Sequence, residues 1–433
     1  MLKRLDLRGL GRGPALRDHL PRPSLGGDEP VDAVRAILAE VRHGGDAAVT
    51  ALTERFDGVR LTRLRVPEAD LAAAAANIDD GLRAALCEAR DAIADYHRGQ
   101  LLPPHRHVRD GITVTGTKVP VQRAGLYVPG GRAVYPSTVL MTAVPALVAG
   151  VAEVALCVPP SRVDGRVPQA TLAAAALAGV SEVYAIGGAQ AIAAMAYGTE
   201  TIRPVDVIVG PGNIYVAIAK REVAGLGLVA VPASFAGPSE VVVIADESVP
   251  PTYAAIDLVV QAEHGPGGLS WLLCWSAEVA ERVSAEVARL VEAAPRKADI
   301  LATLDGNGFA VLCDGPDQAM DIANLIAPEH LQLQVAQPER LLAQVRNAGA
   351  VFCGPLAPAS IGDYLAGPSH VLPTFGSARF ASALTVDDFL KHLHVVEVDR
   401  RGFDRVAPHV IALARAEGLD AHAQSIELRQ VPQ

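Results

Sequence analysis

From residue 124 onward, short apolar runs alternate with Ala-rich stretches whose apolar positions recur every three or four residues. The runs at 125–128, 152–158, 182–186, 205–209 and 228–231 read as buried strands, and the stretches at 138–149, 169–177, 189–196 and 214–224 as helices. Strand–helix alternation builds a mostly parallel sheet, because parallel neighbours need a crossover connection. A second series follows: strands at 240–245, 269–274, 310–313 and 350–353, helices at 254–263, 278–293 and 318–326. The two series predict two α/β units, although no residue-level repeat joins them.

The flanks differ. Val31, Val34, Ile37, Leu38 and Val41 mark one face of a helix, with Asp28 placed to cap it; Gly44-Gly45 stops it and 46–56 begins another. Residues 71–98 form an Ala-rich helical region broken around 79–81, and 112–120 alternates like an exposed strand. Residues 1–27, rich in Arg, Gly and Pro, predict an arm that orders only against something else. After Gly376 helix and loop return. There Phe403, Val406, Val410, Ile411 and Leu413 sit at helical spacing in a segment too small to bury them alone.

Composition narrows the class. A chain of 433 residues exceeds one ordinary core, and 50% hydrophobic with 4% aromatic residues suits aliphatic strands buried under helices. The formal charge of −10 argues against nucleic acid as a partner, since phosphate binding needs a basic face. The best membrane-span candidate, 139–158, is interrupted by Pro145, Gly150 and Glu153, and the first twenty residues lack the apolar core of a secretory signal. Cys87, Cys157, Cys274, Cys313 and Cys353 are odd in number and widely spaced, which predicts buried thiols in a reducing cytoplasm.

Candidate chemistry begins at IDLVVQAEHG, residues 256–265, where Gln261 and His264 lie three apart and share a helical face. Both are metal-type side chains; a polar helix end with His264 serving the dipole fits the same letters. Pro328-Glu329-His330-Leu331 sets an acid beside a base, a pair suited to proton transfer and equally to surface decoration. Asp363 and His370 occupy a Gly/Pro-rich loop, and Glu417 and His422 flank Gly418. His392 and His394 alternate as on a strand face, while His97, His105 and His107 lack an acidic partner in register and read as surface. Three turns, Val128-Pro129-Gly130-Gly131-Arg132, Ile186-Gly187-Gly188-Ala189-Gln190 and Val209-Gly210-Pro211-Gly212-Asn213, join a strand to a helix. Such turns bring backbone close to an anionic ligand, or serve only as tight connections.

Taken together, LYVPGGRAVYPSTVLM, AIGGAQAIAA, VGPGNIYVA, AGPSEVVVIAD, QAEHGP, APEHLQLQ, IGDYLAGPSHVLPT and EGLDAHAQSI resemble the histidinol dehydrogenase family, in order and over nearly the whole chain. The resemblance implies an α/β fold of two incomplete Rossmann-like domains with mostly parallel sheets. Their expected extents are 28–122 with 236–376 for the zinc and catalytic domain and 123–235 for the NAD domain. An N-terminal arm (1–27) and a small helical C-terminal dimerisation segment (377–433) would complete the chain. It implies oxidation of L-histidinol to L-histidine through the aldehyde with two NAD⁺ and one zinc per subunit. Zinc would be held by Gln261, His264, Asp363 and His422, with His330 as base and Glu329 activating water. Ser239, His370 and Glu417 match substrate contacts, as do His330 and the zinc ligands; Tyr127, Gln190 and Asn213 match NAD contacts. A homodimer is expected, each zinc receiving His422 of the partner subunit. The family often carries acids where this chain has Ala233 and Ala359, which leaves open a relative that oxidises another polar alcohol. A non-catalytic two-lobed binding protein is disfavoured, because a binder needs no Glu329-His330 pair beside metal-type side chains.

Overall fold

The computed structural model describes residues 1–21, 30–130, 133–232, 239–263, 265 and 267–430. Its strands in chain order are β1 (Lys3–Asp6), β2 (His105–Arg109), β3 (Ile112–Pro120), β4 (Arg123–Tyr127), β5 (Glu153–Cys157), β6 (Glu182–Tyr184), β7 (Val207–Val209), β8 (Glu240–Ala245), β9 (Leu269–Cys274), β10 (Gly308–Leu312), β11 (His330–Gln334), β12 (Ala350–Cys353) and β13 (Leu390–Val398). They form three sheets. One has the order β1-β10-β9-β8-β11-β12, another β6-β5-β4-β7, and every pairing in both is parallel. The third, β13-β3-β2, is antiparallel.

Each parallel sheet is covered on both faces, as its aliphatic strands require. In the four-stranded sheet Leu126, Leu156 and Val207 point into one core and Tyr127, Cys157 and Ile208 into the other. In the six-stranded sheet Val241, Val243 and Leu272 face one side and Val242, Ile244 and Trp271 the other. The expected strand–helix alternation is present in both. One expected strand, 228–231, is reduced to a single bridge between Val207 and Ala230.

Residues 3–6 of the expected arm order against the rest of the chain, as a strand of the sheet itself: β1 pairs with β10 at the sheet edge, and Leu7 and Leu16 are buried in the core beneath. Charges flanking those leucines mask a strand whose outer edge faces solvent. The segment 28–122 packs mainly on 123–235, and meets 236–376 where Ala92 and Tyr96 lie against Gly367. Its helices Val31–Asp57, Glu68–Asn77 and Asp80–Arg98 lie on Gly188–Tyr197, Gln169–Leu177 and Pro136–Val148, covering the four-stranded sheet. Their apolar stripes match the faces of that sheet's own Ala-rich helices. His97, read as surface, is buried, its Nδ1 2.8 Å from the Ile93 carbonyl one turn back.

Helix boundaries follow local chemistry. Val31–Asp57 kinks at Gly45 (φ 52°, ψ −137°), where the Asp46 N–H donates to Glu200 Oε2 at 2.7 Å. Asp79 caps Asp80–Arg98 by accepting from the Leu82 N–H at 3.1 Å. Asp28, expected as a cap, lies outside the described residues. Beyond Gly376, β13 lines up with β3, and Arg400–Ala416 and Asp420–Gln430 pack on each other.

Candidate active site

A cleft of about 360 Å³ opens between the two parallel sheets. On one side the chain leaves β4 and β7 through Pro129 and Gly210-Pro211-Gly212. On the other it enters β8 and β11 through Ser239, Glu329 and His330. Carboxyl ends of one sheet therefore face amino ends of the other, whereas an open α/β sheet ordinarily binds ligands at carboxyl ends alone.

Glu329 and His330 are both buried at the start of β11. The helix Pro316–Ile326 ends at Ala327 in a left-handed conformation (φ 54°), and Pro328 then turns the chain into the strand. Glu329 Oε2 accepts from the Glu240 N–H at 3.0 Å and lies 3.6 Å from His330 Nδ1. His330 Nδ1 is also 3.3 Å from the Glu240 carbonyl, and Nε2 is 3.5 Å from Asp363 Oδ1. Burial alone would lower this imidazole, but Glu329 and Asp363 outweigh it and hold it at about 9. Burial pushes the Glu329 carboxyl up against the opposing pull of His330. An acid and a base thus share one water-poor pocket with their protons contested.

The Phe352 ring lies beside His330, centroids 6.0 Å apart and planes 26° from parallel. That approach depends on Gly362, where a Cβ would sit 2.5 Å from the Phe352 ring. Gly362 precedes Asp363 in the short helix Ala359–Tyr364, so packing against Phe352 sets where Asp363 stands. His370 is fixed at both ring nitrogens, Nδ1 2.9 Å from the Asp363 carbonyl and Nε2 3.1 Å from Thr138 Oγ1.

Of the sequence-derived site residues, Ser239, Glu329, His330, Asp363 and His370 line one cleft. Gln261 is buried at the end of the helix Pro251–Ala262, whose Val260 and following Glu263 reach the cleft wall. Its amide nitrogen has no hydrogen-bond partner among the described residues. His264 and Ala233 lie outside the described residues. Glu417 and His422 are exposed on the C-terminal helical pair and do not line the cleft. Tyr127 and Gln190 are buried beneath the second glycine turn, the Tyr127 hydroxyl accepting from the Gly188 N–H at 3.1 Å. Asn213 caps the helix Ile214–Gly225, its Oδ1 accepting from the Tyr215 and Val216 N–H groups at 3.1 and 3.2 Å.

Sequence reasoning missed three groups here: Thr138, Lys220 and Glu240. Glu240 carries the readable signal, a charged residue opening an otherwise aliphatic strand. Its buried carboxyl is pushed up to about 8, chiefly by burial, and accepts from the Gly376 N–H at 3.1 Å.

Two covered parallel sheets with an acid–base pair in the cleft between them define an α/β enzyme. A family model described as histidinol dehydrogenase matches residues 20–430. Histidinol dehydrogenase of Moorella thermoacetica is 50% identical over 400 residues, covering 92% of this chain and 93% of that protein. That of Thermobifida fusca is 47% identical over 433 residues, covering 99% and 98%. The crystal structure of histidinol dehydrogenase from Elizabethkingia anophelis superimposes with a TM-score of 0.93 at 33% identity, covering 99% of this chain and 98% of that one. The chain belongs to the histidinol dehydrogenase family.

Proposed function

We propose that the cleft oxidises L-histidinol to L-histidine in two steps, with two NAD⁺ consumed and a zinc ion at the site. The observation carrying this reading is the buried pair Glu329–His330, 3.6 Å apart and facing Asp363 across the cleft. In the first step His330 takes the hydroxyl proton as hydride leaves the carbinol carbon. Its proton is released once one of the two facing carboxylates is neutralised, because those carboxylates are what raise it. In the second step Glu329 takes a proton from the water that adds to the aldehyde, and the hydrate then loses hydride. Glu329 suits this role because burial raises its affinity for a proton and its Oε2 is oriented by the Glu240 N–H.

The residues present fit a metal ion. Gln261 offers a buried amide whose nitrogen is orphaned, and rotation of the amide brings its oxygen to the same point. Asp363 supplies a carboxylate, and His264 and His422 would add imidazoles, a donor set suited to zinc. Among the described residues of one chain no group of three His, Cys, Asp or Glu is placed so as to hold a metal ion. When bound, the ion supplies positive charge that orients the substrate's alcohol and amine. For the dinucleotide, Gly210-Pro211-Gly212 and Pro129 offer backbone at the cleft wall, with Asn213 and a helix N-terminus beside them.

Exposure of Glu417 and His422 supports a homodimer in which each site takes these residues from the partner. So does the apolar surface left on the C-terminal segment, where Leu413 and Leu428 are 66% and 67% exposed. Five free cysteines, three of them buried, suit a reducing cytoplasm, although Cys353 is exposed where a buried thiol was expected. Among the described residues no helix is long and apolar enough to cross a membrane.

The deciding measurement is NADH formed per L-histidinol consumed, taken together with metal content. A yield of two, abolished by chelation and restored by zinc, is expected. A yield of one, or full turnover in metal-free protein, would overturn the reading.

A further inference from the structure

Lys220 is buried on the helix Ile214–Gly225, 2% exposed, yet it reaches the cleft wall. Among the described residues lining that cleft it is the single Lys or Arg, and the carboxylates there are Glu263, Glu329 and Asp363. Its ammonium donates to the Gly210 carbonyl, and among the described residues no carboxylate pairs with it. An ammonium has three donors, so one carbonyl leaves most of its capacity unused. A buried cation with neither counter-ion nor full hydrogen bonding is costly, and desolvation lowers this amine to about 7. Chains keep such a group where an anion arrives to complete it.

The position tells which anion. Gly210 opens the turn after β7, with φ +109° and no room for a Cβ, which would lie 2.0 Å from the Tyr127 carbonyl oxygen. The amine is therefore tied to a rigid backbone corner, one that leads into Asn213 and the N-terminus of the helix it caps. The acidic walls across the cleft suit a cation or a cationic substrate and repel a phosphate. Within the NAD⁺ reading given above, on which this inference rests, the ligand has one strongly anionic part. We propose that Lys220 is the cationic anchor for the diphosphate of the dinucleotide, holding it against the Gly210-Pro211-Gly212 turn. The alternative, a lysine that only clamps the turn, predicts a different set of effects.

The test uses ADP-ribose, which carries the diphosphate and no nicotinamide, against adenosine, which carries neither phosphate. Both are titrated calorimetrically into metal-loaded wild-type enzyme and the Lys220→Met, Lys220→Gln and Lys220→Arg variants. Folding is checked by circular dichroism, with Met and Gln as independent neutral replacements. In either neutral variant, ADP-ribose should bind about 30-fold more weakly or worse, as expected when one partner of a buried charge contact is removed. Adenosine should change less than about threefold, and Lys220→Arg should recover most of the loss. KM for NAD⁺ should rise in parallel while KM for L-histidinol holds. If a folded neutral variant binds ADP-ribose within threefold of wild type, or loses adenosine equally, Lys220 is a turn clamp and the proposal fails. If wild type itself neither binds ADP-ribose nor reduces NAD⁺, it is the cofactor reading that fails.

Discussion

The Glu240 main-chain N–H donates to Glu329 Oε2 at 3.0 Å, while the Glu240 carboxyl accepts from the Gly376 N–H at 3.1 Å. One residue thereby joins the catalytic strand to a turn in which Phe375 and Gly376 both have positive φ, 58° and 69°. Glu240→Ala would strand the Gly376 N–H, at a cost of about 1–3 kcal/mol, and release the turn behind Thr374, which lines the cleft. Thermal unfolding should show a lower midpoint, and kcat should drop with it. Glu240→Gln, which keeps an acceptor, should be milder.

The same carboxyl sets a pH dependence. Folded, it holds its proton up to about 8, while the unfolded chain sheds it near the ordinary glutamate value of 4.5. Between those limits the folded protein binds the extra proton, so stability is full below the window and declines as pH rises through it. Denaturant melts from pH 5 to pH 8.5 should show the decline, and Glu240→Gln should flatten part of it. An identical slope in both proteins counts against this assignment.

The acid–base division separates the half-reactions. His330→Asn should slow alcohol oxidation by about 10²–10⁴, the usual loss when a positioned base is removed. Glu329→Gln should chiefly slow oxidation of supplied histidinaldehyde. Stopped-flow traces on each substrate measure the two directly. Equal slowing of both steps in both variants is the result this scheme does not allow.

Subunit sharing is testable by mixing. His330→Asn and His422→Asn should each be nearly inactive, yet exchanged dimers should contain one site with both residues intact. Activity should return toward about a quarter of wild type for statistical mixing of C₂ dimers. Exchange demonstrated by mass spectrometry without recovered activity would place His422 in its own chain's site.

Gly210→Ala should cost roughly 3 kcal/mol or more, since the new methyl meets the Tyr127 carbonyl at 2.0 Å in a left-handed conformation. Gly306→Ala is the matched contrast. Gly306 sits in the helix Lys297–Asn307 with nothing within 4 Å of its Cβ position, and alanine there should stabilise by about 0.5–1 kcal/mol.

What the sequence makes legible follows from burial. Aliphatic strands such as β8 and β9 are expected and found with the same limits, because both faces are covered and Glu240 and Ser270 are the only polar letters in the two runs. β11 escapes notice. His330, Gln332 and Gln334 share one face, with Leu331 and Leu333 on the other, so its period of two is present but its polar letters read as loop. Those glutamines are buried inside the sheet, Gln334 Nε2 donating to Gln332 Oε1 at 3.0 Å and to Asp257 at 2.5 Å. Asp257, remote in sequence, holds Gln334, while Gln332 Nε2 and Gln334 Oε1 have no hydrogen-bond partner among the described residues, and nothing local announces such burial. The proposed acid–base pair Glu329–His330 is legible through a motif block, whereas Lys220 is hidden in an Ala- and Val-rich helix that gives no hint its amine turns inward. Charge is read as surface until a structure shows otherwise.

The edge strand β1 has a consequence in time. Lys3 reaches across 303 residues to the Gly306 carbonyl, and its strand runs in register with Phe309 through Leu312. At roughly 5–20 residues per second, a ribosome needs about 15–60 s to make the chain between them. Throughout that interval β1 has no β10 to pair with, and Leu7 and Leu16 have no core to enter. The six-stranded sheet is therefore closed at one border by a strand that must wait for β10 to be made. An early-exposed segment of this kind is where a nascent-chain chaperone has the longest opportunity to bind.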